Sequence, residues 1–137
     1  MGRRATIALA AIAGAFIVPA VATPAAAAYG GCGTTGASGS IRFTWSGKYR
    51  MNDLEISVKD TLSDGHHAAI RLVTIRNDGS TKYWPWRRNY EGAGVTSHWF
   101  TYAYDTNGIR TALVEVARFE GSDLLNLCGG GYVDNPN

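Results

Sequence analysis

The sequence predicts an all-β fold, an antiparallel sandwich or a small barrel of about seven strands. Apolar and polar residues alternate over many short segments, which is the period of a half-buried strand. Turn-forming residues separate these segments, and no segment shows a convincing helical period. The predicted strands are 41–45, 54–58, 68–76, 81–87, 95–105, 109–119 and 124–128.

The start of the chain has the three parts of an export signal. Arg3 and Arg4 form a basic segment, residues 7–18 form a short apolar segment, and the alanines at 26–28 form a cleavage site of small residues. We therefore predict that residues 1–28 are a signal peptide and that the protein is secreted and extracellular. An apolar run this short falls below the roughly 20 residues of a membrane-spanning helix, so no transmembrane segment is expected after cleavage.

Cleavage would leave residues 29–137 as a single secreted β domain. The whole chain has 13 basic and 11 acidic residues, and the two excess cations, Arg3 and Arg4, lie in the predicted signal peptide. The domain is therefore neutral. Nucleic acid, which needs a clustered basic surface, is not an expected partner.

Cys32 and Cys128 lie near the two ends of the predicted domain. An even number of cysteines in an exported protein favours a disulfide bond between them. Residues 29–40 are rich in Gly, Ser and Thr, and we expect them to form an extended tail that Cys32 ties to the domain. Neither cysteine has the spacing of a redox or zinc motif.

The register of the strand that carries Trp84 and Trp86 depends on the turn at residues 77–79. If Asn-Asp-Gly forms a three-residue loop with its glycine in the left-handed conformation, Trp84 lies opposite Leu72 and Trp86 lies opposite Ile70. Both indoles then face the core. We favour this register because tryptophan is usually largely buried.

A two-residue turn would instead place Trp84 opposite Val73 and Trp86 opposite Arg71. Both indoles would then face solvent, where they could stack on sugar rings, and Trp86 could form a cation–π contact. Two exposed indoles would make a large apolar patch, and such a patch on a monomer would itself imply a ligand.

The polar segment 87–94 is the strongest candidate for a binding site. We predict that it is a loop, because long loops on rigid β scaffolds often carry function and because Arg and Tyr are frequent in binding hot spots. The alternative is a solvated connection whose glycines only permit the turn. The candidate ligand-binding residues are Arg87, Arg88, Tyr90, Glu91 and, on the neighbouring aromatic face, Tyr83.

Other polar residues have structural explanations. His66 and His67 are adjacent, so on a strand they point to opposite faces and cannot bind one metal ion. Asp105 is expected to form a cross-strand ion pair with Arg110 across a two-residue turn at 107–108. The sequence contains no catalytic motif, so we predict no metal, no cofactor and no catalytic residues.

Five short motifs mark the domain. They are Asp-Gly-His-His at 64–67, Tyr-Trp-Pro-Trp at 83–86, Gly-Ala-Gly at 92–94, Trp99 and Asn-Pro-Asn at 135–137. Together they resemble small secreted β-sandwich proteins of filamentous actinobacteria, over most of the predicted domain. The resemblance implies export and a β fold, and it implies no catalytic residues.

These observations favour a non-enzymatic binding module for an extracellular glycan or protein. An inhibitor of an extracellular hydrolase is an alternative, because residues 86–90 resemble, at a different spacing, the Trp-Arg-Tyr presentation of a small secreted amylase inhibitor. A structural protein of the envelope or spore surface is a further alternative. A small hydrolase is the least favoured one.

Overall fold

The computed structural model describes residues 11–20 and 27–137. Residues 11–20 are exposed and have no regular secondary structure. The predicted basic segment at Arg3 and Arg4, the beginning of the apolar segment and Ala26 of the predicted cleavage site lie outside the described residues. No helix in the described ranges is long and apolar enough to cross a membrane.

Two antiparallel sheets pack face to face, which confirms the predicted all-β sandwich. The strands are β1 (Ala28–Thr34), β2 (Ala37–Ser46), β3 (Arg50–Asp60), β4 (His67–Ile75), β5 (Thr81–Tyr83), β6 (Arg87–Asn89), β7 (Thr96–Tyr104), β8 (Thr111–Glu120) and β9 (Asp123–Asp134). Sheet A has the strand order β1-β2-β3-β7. Sheet B has the order β5-β4-β8-β9, and β6 also pairs with β4.

The core lies between the sheets and is formed by one face of each. Its largest fully buried apolar side chains are Ile41, Phe43, Met51, Leu54, Val58, Ile70, Ile109, Val114 and Val116. Burial of each large side chain contributes about 1.5–3 kcal/mol relative to exposure. Trp45, Trp84 and Trp99 are half-buried and pack against the core from its margin.

One lateral edge of the sandwich, between β1 and β9, is closed. The Cys32–Cys128 disulfide joins these strands, with its Cα atoms 6.3 Å apart, and confirms the predicted bridge. Beside it, Gly30 and Gly131 lie in backbone contact, because a Cβ atom on either one would overlap the backbone of the opposite strand. Glycine is needed for such a close approach. We call this side the closed edge.

The predicted extended tail at 29–40 is instead a β-hairpin. β1 pairs with β2 along its whole length, and a two-residue turn joins them. Gly36 in this turn has φ 83°, which is the left-handed conformation that short hairpin turns need. The many Gly and Ser residues give the segment little strand propensity, so its partner strand and the disulfide determine its conformation.

The chain crosses from sheet A to sheet B between β7 and β8. The predicted Asp105–Arg110 ion pair, which required a hairpin here, is therefore wrong. The two flanking strands belong to different sheets and form no hairpin. The buried Asp105 carboxylate instead accepts hydrogen bonds from Arg76 Nε at 2.8 Å and from the Asn107 N–H at 3.0 Å. Burial raises the pKa of Asp105, but these donors and the charges of Arg76 and Lys82 outweigh it and lower the pKa.

The three-residue turn at 77–79 is present as predicted and sets the register of β4 with β5. The Arg76 N–H donates to Ser80 O at 2.8 Å, and the glycine of the turn has φ 87°. In this register the Trp84 N–H donates to Leu72 O at 3.0 Å, and the indole packs against the core. The predicted position of Trp84 is confirmed.

The predicted position of Trp86 is wrong. The register shifts by one residue between β5 and β6, so Arg87 rather than Trp86 lies opposite Ile70. Pro85, which has no N–H to donate to a strand ladder, occupies this interval. The extra residue turns Trp86 to the outer face of sheet B, where its ring centroid lies 5.2 Å from that of Phe119.

Candidate binding cleft at the open edge

The opposite lateral edge of the sandwich is open. There, β7 of sheet A faces β5 and β6 of sheet B without pairing. A cavity of about 220 Å³ between them reaches the core, and it shares four lining residues with a wider depression of about 570 Å³. We call the two together the cleft. Its lining residues are Arg50, Leu54, Ile56, Leu72, Trp84, Pro85, Trp86, Arg87, Thr101, Tyr102, Ala103 and Tyr104.

Trp84 forms a fixed aromatic wall of the cleft. Its indole Nε1–H donates to the hydroxyl oxygen of the buried Thr74 at 3.0 Å. The Lys82 ammonium lies 3.9 Å from the centroid of the ring, in cation–π geometry. Because both contacts hold the ring, the indole loses little further conformational freedom when a ligand binds.

The side chains of β7 form the other wall and an aromatic rim. Thr101 faces the cleft, whereas Phe100 and Tyr104 face outward and are 78% and 49% exposed. Tyr102 lies at the rim and is 56% exposed, and the guanidinium carbon of Arg50 lies 4.1 Å from its ring centroid. The alternation of the strand places Phe100, Tyr102 and Tyr104 on the outer face of sheet A, and of these Tyr102 and Tyr104 also border the cleft.

Arg87 and Arg50 bring two guanidinium groups to the cleft. Arg87 lies opposite Ile70 on the side of β6 that faces the core, and its guanidinium carbon is 5.9 Å from the ring centroid of Trp99. Arg50 donates its Nε hydrogen to the Asn52 side-chain oxygen. Within the described residues, neither arginine has a carboxylate oxygen within 4.0 Å.

The lining of the cleft combines apolar surface, aromatic faces and cationic hydrogen-bond donors. None of its lining residues is an acid or a histidine. Aromatic faces and guanidinium groups are binding groups, suited to flat rings and to oxyanions. The cleft therefore has the chemistry of a binding site.

The structure brings together only part of the sequence-predicted binding site: Arg88, Tyr90 and Glu91 line one open depression of about 320 Å³, whereas Arg87 and Tyr83 lie elsewhere. Residues 87–89 are strand β6 rather than a loop, so their side chains alternate between faces. Arg87 lies in the cleft, whereas Arg88 lies on the outer face of sheet B, as does Tyr83 opposite Val73. The inhibitor alternative places these residues in a loop, whereas the structure has residues 87–89 in β6 and residues 90–94 in the connection that follows.

The outer face of sheet B carries a stack of aromatic and cationic side chains. Its members are Tyr83, Arg71, Trp86, Phe119, Arg88, His67 and Tyr90. The guanidinium carbon of Arg71 lies 4.4 Å from the Tyr83 ring centroid and 4.5 Å from the Trp86 ring centroid. Arg71 also forms an ion pair with Glu115 at 2.6 Å. The stack thus uses its cations for internal contacts.

His67 is held in its neutral form within this outer stack. Burial and the positive charge of Arg88 lower the pKa of His67. Arg88 Nη1 lies 2.7 Å from Nε2 of His67, which accepts the hydrogen bond, and Arg88 also donates to Gly121 O at 3.2 Å. Tyr90, which is 73% exposed, has its ring centroid 4.7 Å from that of His67.

Glu91 belongs to the turn that follows β6. Its carboxylate accepts a hydrogen bond from the Ser97 hydroxyl at 2.7 Å, and its N–H donates to the Asn89 side-chain oxygen at 2.9 Å. Asn89 is buried and donates to Val58 O at 3.1 Å and to Val95 O at 2.8 Å. Glu91 is therefore tied to a network that joins the two sheets.

Sequence reasoning missed three residues of the cleft. Trp84 was assigned to the core in the favoured register, with an exposed sugar-stacking position as the alternative, and Arg50 and Tyr102 were not identified as binding residues. The alternating aromatic residues at 100, 102 and 104 are a signal that could have been read within the predicted strand 95–105. The position of Arg50 depends on the pairing of β3 with β7, which the sequence does not specify.

No protein-family model, curated protein or solved structure matches this chain. In the part of the chain that the structure describes, no three His, Cys, Asp or Glu side chains are grouped as metal ligands. The geometry of the cleft is therefore the basis for a functional proposal.

Proposed function

We propose that the protein is a secreted, non-enzymatic binding module that holds an extracellular glycan in the cleft. The observation that carries this proposal is that the fixed indole of Trp84 and the exposed Tyr102 line the same cavity at the open edge of the sandwich. Flat apolar rings of this kind stack on the apolar faces of sugars, and the neighbouring guanidinium groups donate hydrogen bonds to sugar oxygens.

The signal-like start of the chain and the disulfide support an extracellular location. Disulfides form and persist in oxidising compartments, and Cys32–Cys128 is such a bond. In the described part of the start of the chain, Ile12, Phe16, Ile17 and Val18 are 82–95% exposed, so they add nothing to the core.

Affinity electrophoresis of the secreted protein in gels that contain soluble polysaccharides tests the proposal. The variant Tyr102→Ala removes an aromatic ring from the rim of the cleft and should weaken glycan binding roughly tenfold, as expected for an interface anchor. Tyr132→Ala is the matched control, because Tyr132 is 69% exposed and lies on β9 at the closed edge. Its affinity should equal that of the wild type.

The proposal fails if the protein binds no member of a broad panel of acidic and neutral glycans. It also fails if Tyr132→Ala and Tyr102→Ala weaken binding equally, because the cleft would then not be the site. Release of product from any of these polysaccharides would indicate a hydrolase instead.

A further inference from the structure

Five arginines of the described chain differ in whether they have a carboxylate partner. Three of them form ion pairs with carboxylates, namely Arg71 with Glu115 at 2.6 Å, Arg76 with Asp105 at 2.8 Å and Arg118 with Asp64 at 2.8 Å. Arg50 and Arg87, which line the same depression of the cleft, instead lie over the aromatic rings of Tyr102 and Trp99. Within the described residues, neither Arg50 nor Arg87 has a carboxylate oxygen within 4.0 Å.

A guanidinium group held over a ring keeps its N–H donors available at its edge. The group has five such donors in a planar fork, which matches two oxygens of a carboxylate, sulfate or phosphate. Arg50 uses its Nε hydrogen on the Asn52 side chain, so its terminal nitrogens remain for a ligand. The contacts with the aromatic rings, at 4.1 Å for Arg50 and 5.9 Å for Arg87, limit the motion of both side chains and so reduce the entropy lost on binding.

We propose, resting on the proposed function above, that the glycan is an acidic polysaccharide. A sugar ring lies against Trp84 or Tyr102, and an oxyanion on that sugar or its neighbour accepts hydrogen bonds from Arg50 and Arg87. The Lys82 ammonium lies 3.9 Å from the Trp84 ring centroid, but it also lies 4.0 Å from the Asp105 carboxylate, so the two arginines are the main cationic groups for the ligand. Charge-assisted hydrogen bonds of this type are roughly twice as strong as neutral ones, which favours acidic over neutral sugars.

A polysaccharide fits the cleft better than a nucleic acid does. The predicted secreted domain has no net charge, whereas nucleic acid binding depends on many phosphate contacts and on counterion release. The cleft supplies two arginines beside aromatic walls, which suits one or two charged sugar units at a time.

Isothermal titration of the protein with polygalacturonate and with its fully methyl-esterified form tests this inference. The two polymers have the same sugar backbone and differ only in the carboxylate charge. Dextran sulfate and dextran form a second pair, which distinguishes a sulfate from a carboxylate. We expect tighter binding of the charged member of at least one pair, and weaker binding of that member as the salt concentration rises.

Arginine variants connect this preference to the cleft. Arg50→Ala and Arg87→Ala should each weaken binding of the charged polymer about tenfold, and Arg87→Lys should fall between Arg87→Ala and the wild type because it keeps charge but loses the fork. Arg42→Ala is the matched control, since Arg42 is exposed on β2 and, in the described chain, has no carboxylate within 4.0 Å. Thermal unfolding of each variant confirms that it is folded.

The outcomes separate this inference from the function on which it rests. Equal binding of the charged and neutral members of both pairs, with no loss in the arginine variants, overturns the acidic ligand and leaves the glycan-binding function standing. Binding of no glycan at all overturns both. Single-stranded DNA bound as tightly as the acidic polymers, with the same dependence on Arg50 and Arg87, identifies a general polyanion site and also overturns the inference.

Discussion

The two lateral edges of the sandwich are built in different ways. At the closed edge, β1 and β9 meet through a disulfide and through glycine backbones that leave no room for a Cβ atom. At the open edge, β7 and the β5–β6 segment are separated by the cleft, whose walls are large side chains. The same pair of sheets is thus joined covalently on one side and separated on the other.

This difference shows how a small domain can combine stability with an accessible apolar surface. A covalent bond and backbone contact at one edge add to the core in holding the two sheets together, so the other edge needs only a few contacts, such as the hydrogen bond from Asn89 to Val58 O. Because the closed edge holds the sheets together, the large side chains of the open edge are not all needed to cover the core. They can therefore stay exposed in the cleft. We therefore expect changes at the closed edge to alter stability, and changes at the rim of the open edge to alter binding.

Loss of the disulfide should have the largest effect. The double variant Cys32→Ala with Cys128→Ala opens a loop with a sequence separation of 96 and should lower the free energy of unfolding by about 2–5 kcal/mol. Urea denaturation of the variant and of the wild type measures this change. A loss below about 1 kcal/mol, as for an ordinary surface substitution, would show that the bond contributes little to the closed edge.

Trp84 and Trp86 should differ in their contribution to stability although they are two residues apart. Trp84→Ala removes a ring that packs on the core and should cost about 3 kcal/mol. Trp86→Ala removes a ring from the outer face of sheet B, where it stacks with Arg71, and should cost about 1 kcal/mol. Equal losses in chemical denaturation would contradict the register shift between β5 and β6.

This pair of tryptophans also shows how far the sequence predicts the structure. Periodicity and turn residues were sufficient for the sandwich, and the turn at 77–79 placed Trp84 correctly opposite Leu72. The one-residue shift at Pro85 could not be predicted, because a bulge changes the register without changing the pattern on either side of it. The same shift assigns Arg87 and Arg88 to different faces, and so divides the predicted site.

The crossover between β7 and β8 was missed for a related reason. Residues 106–108 have the composition of a hairpin turn, but local composition does not reveal that the flanking strands belong to different sheets. The cleft depends on that crossover, since it places β7 at the edge of sheet A. Its two walls come from segments distant in sequence, and only the tertiary structure brings them together.

Two glycines of β1 test the backbone contact at the closed edge. Gly30→Ala would force a Cβ atom against the Gly131 carbonyl and should cost roughly 1–3 kcal/mol. Gly33→Ala is the matched control in the same strand, because its Cβ would lie 3.8 Å from the nearest atom, Ala37 O. Its stability should stay within about 1 kcal/mol of the wild type. Equal melting temperatures for the two variants would argue against the close approach of β1 and β9.

The smallest expected effect is a pH dependence of folding stability caused by His67, which lies in the outer stack of sheet B. The lowered pKa of His67 means that the unfolded chain binds its proton more readily than the folded one. The contribution of His67 to stability is therefore complete above pH about 6.5 and is lost as the pH falls from there toward the lower folded pKa. His67→Gln should reduce the change in melting temperature between about pH 7.5 and about pH 5.5, which lie on either side of the ordinary histidine pKa. An unchanged difference would show that His67 does not titrate in this way.

The most direct test of the binding edge is an NMR titration of the labelled protein with galacturonic acid oligosaccharides. The indole N–H of Trp84 and the backbone N–H groups of Arg87 and Tyr102 report on the open edge, and those of Gly30 and Gly131 report on the closed edge. We predict that the first three signals shift with saturation while the two glycine signals stay in place. Saturable shifts at the glycines with no change at Trp84 would contradict the assignment of the cleft as the binding site.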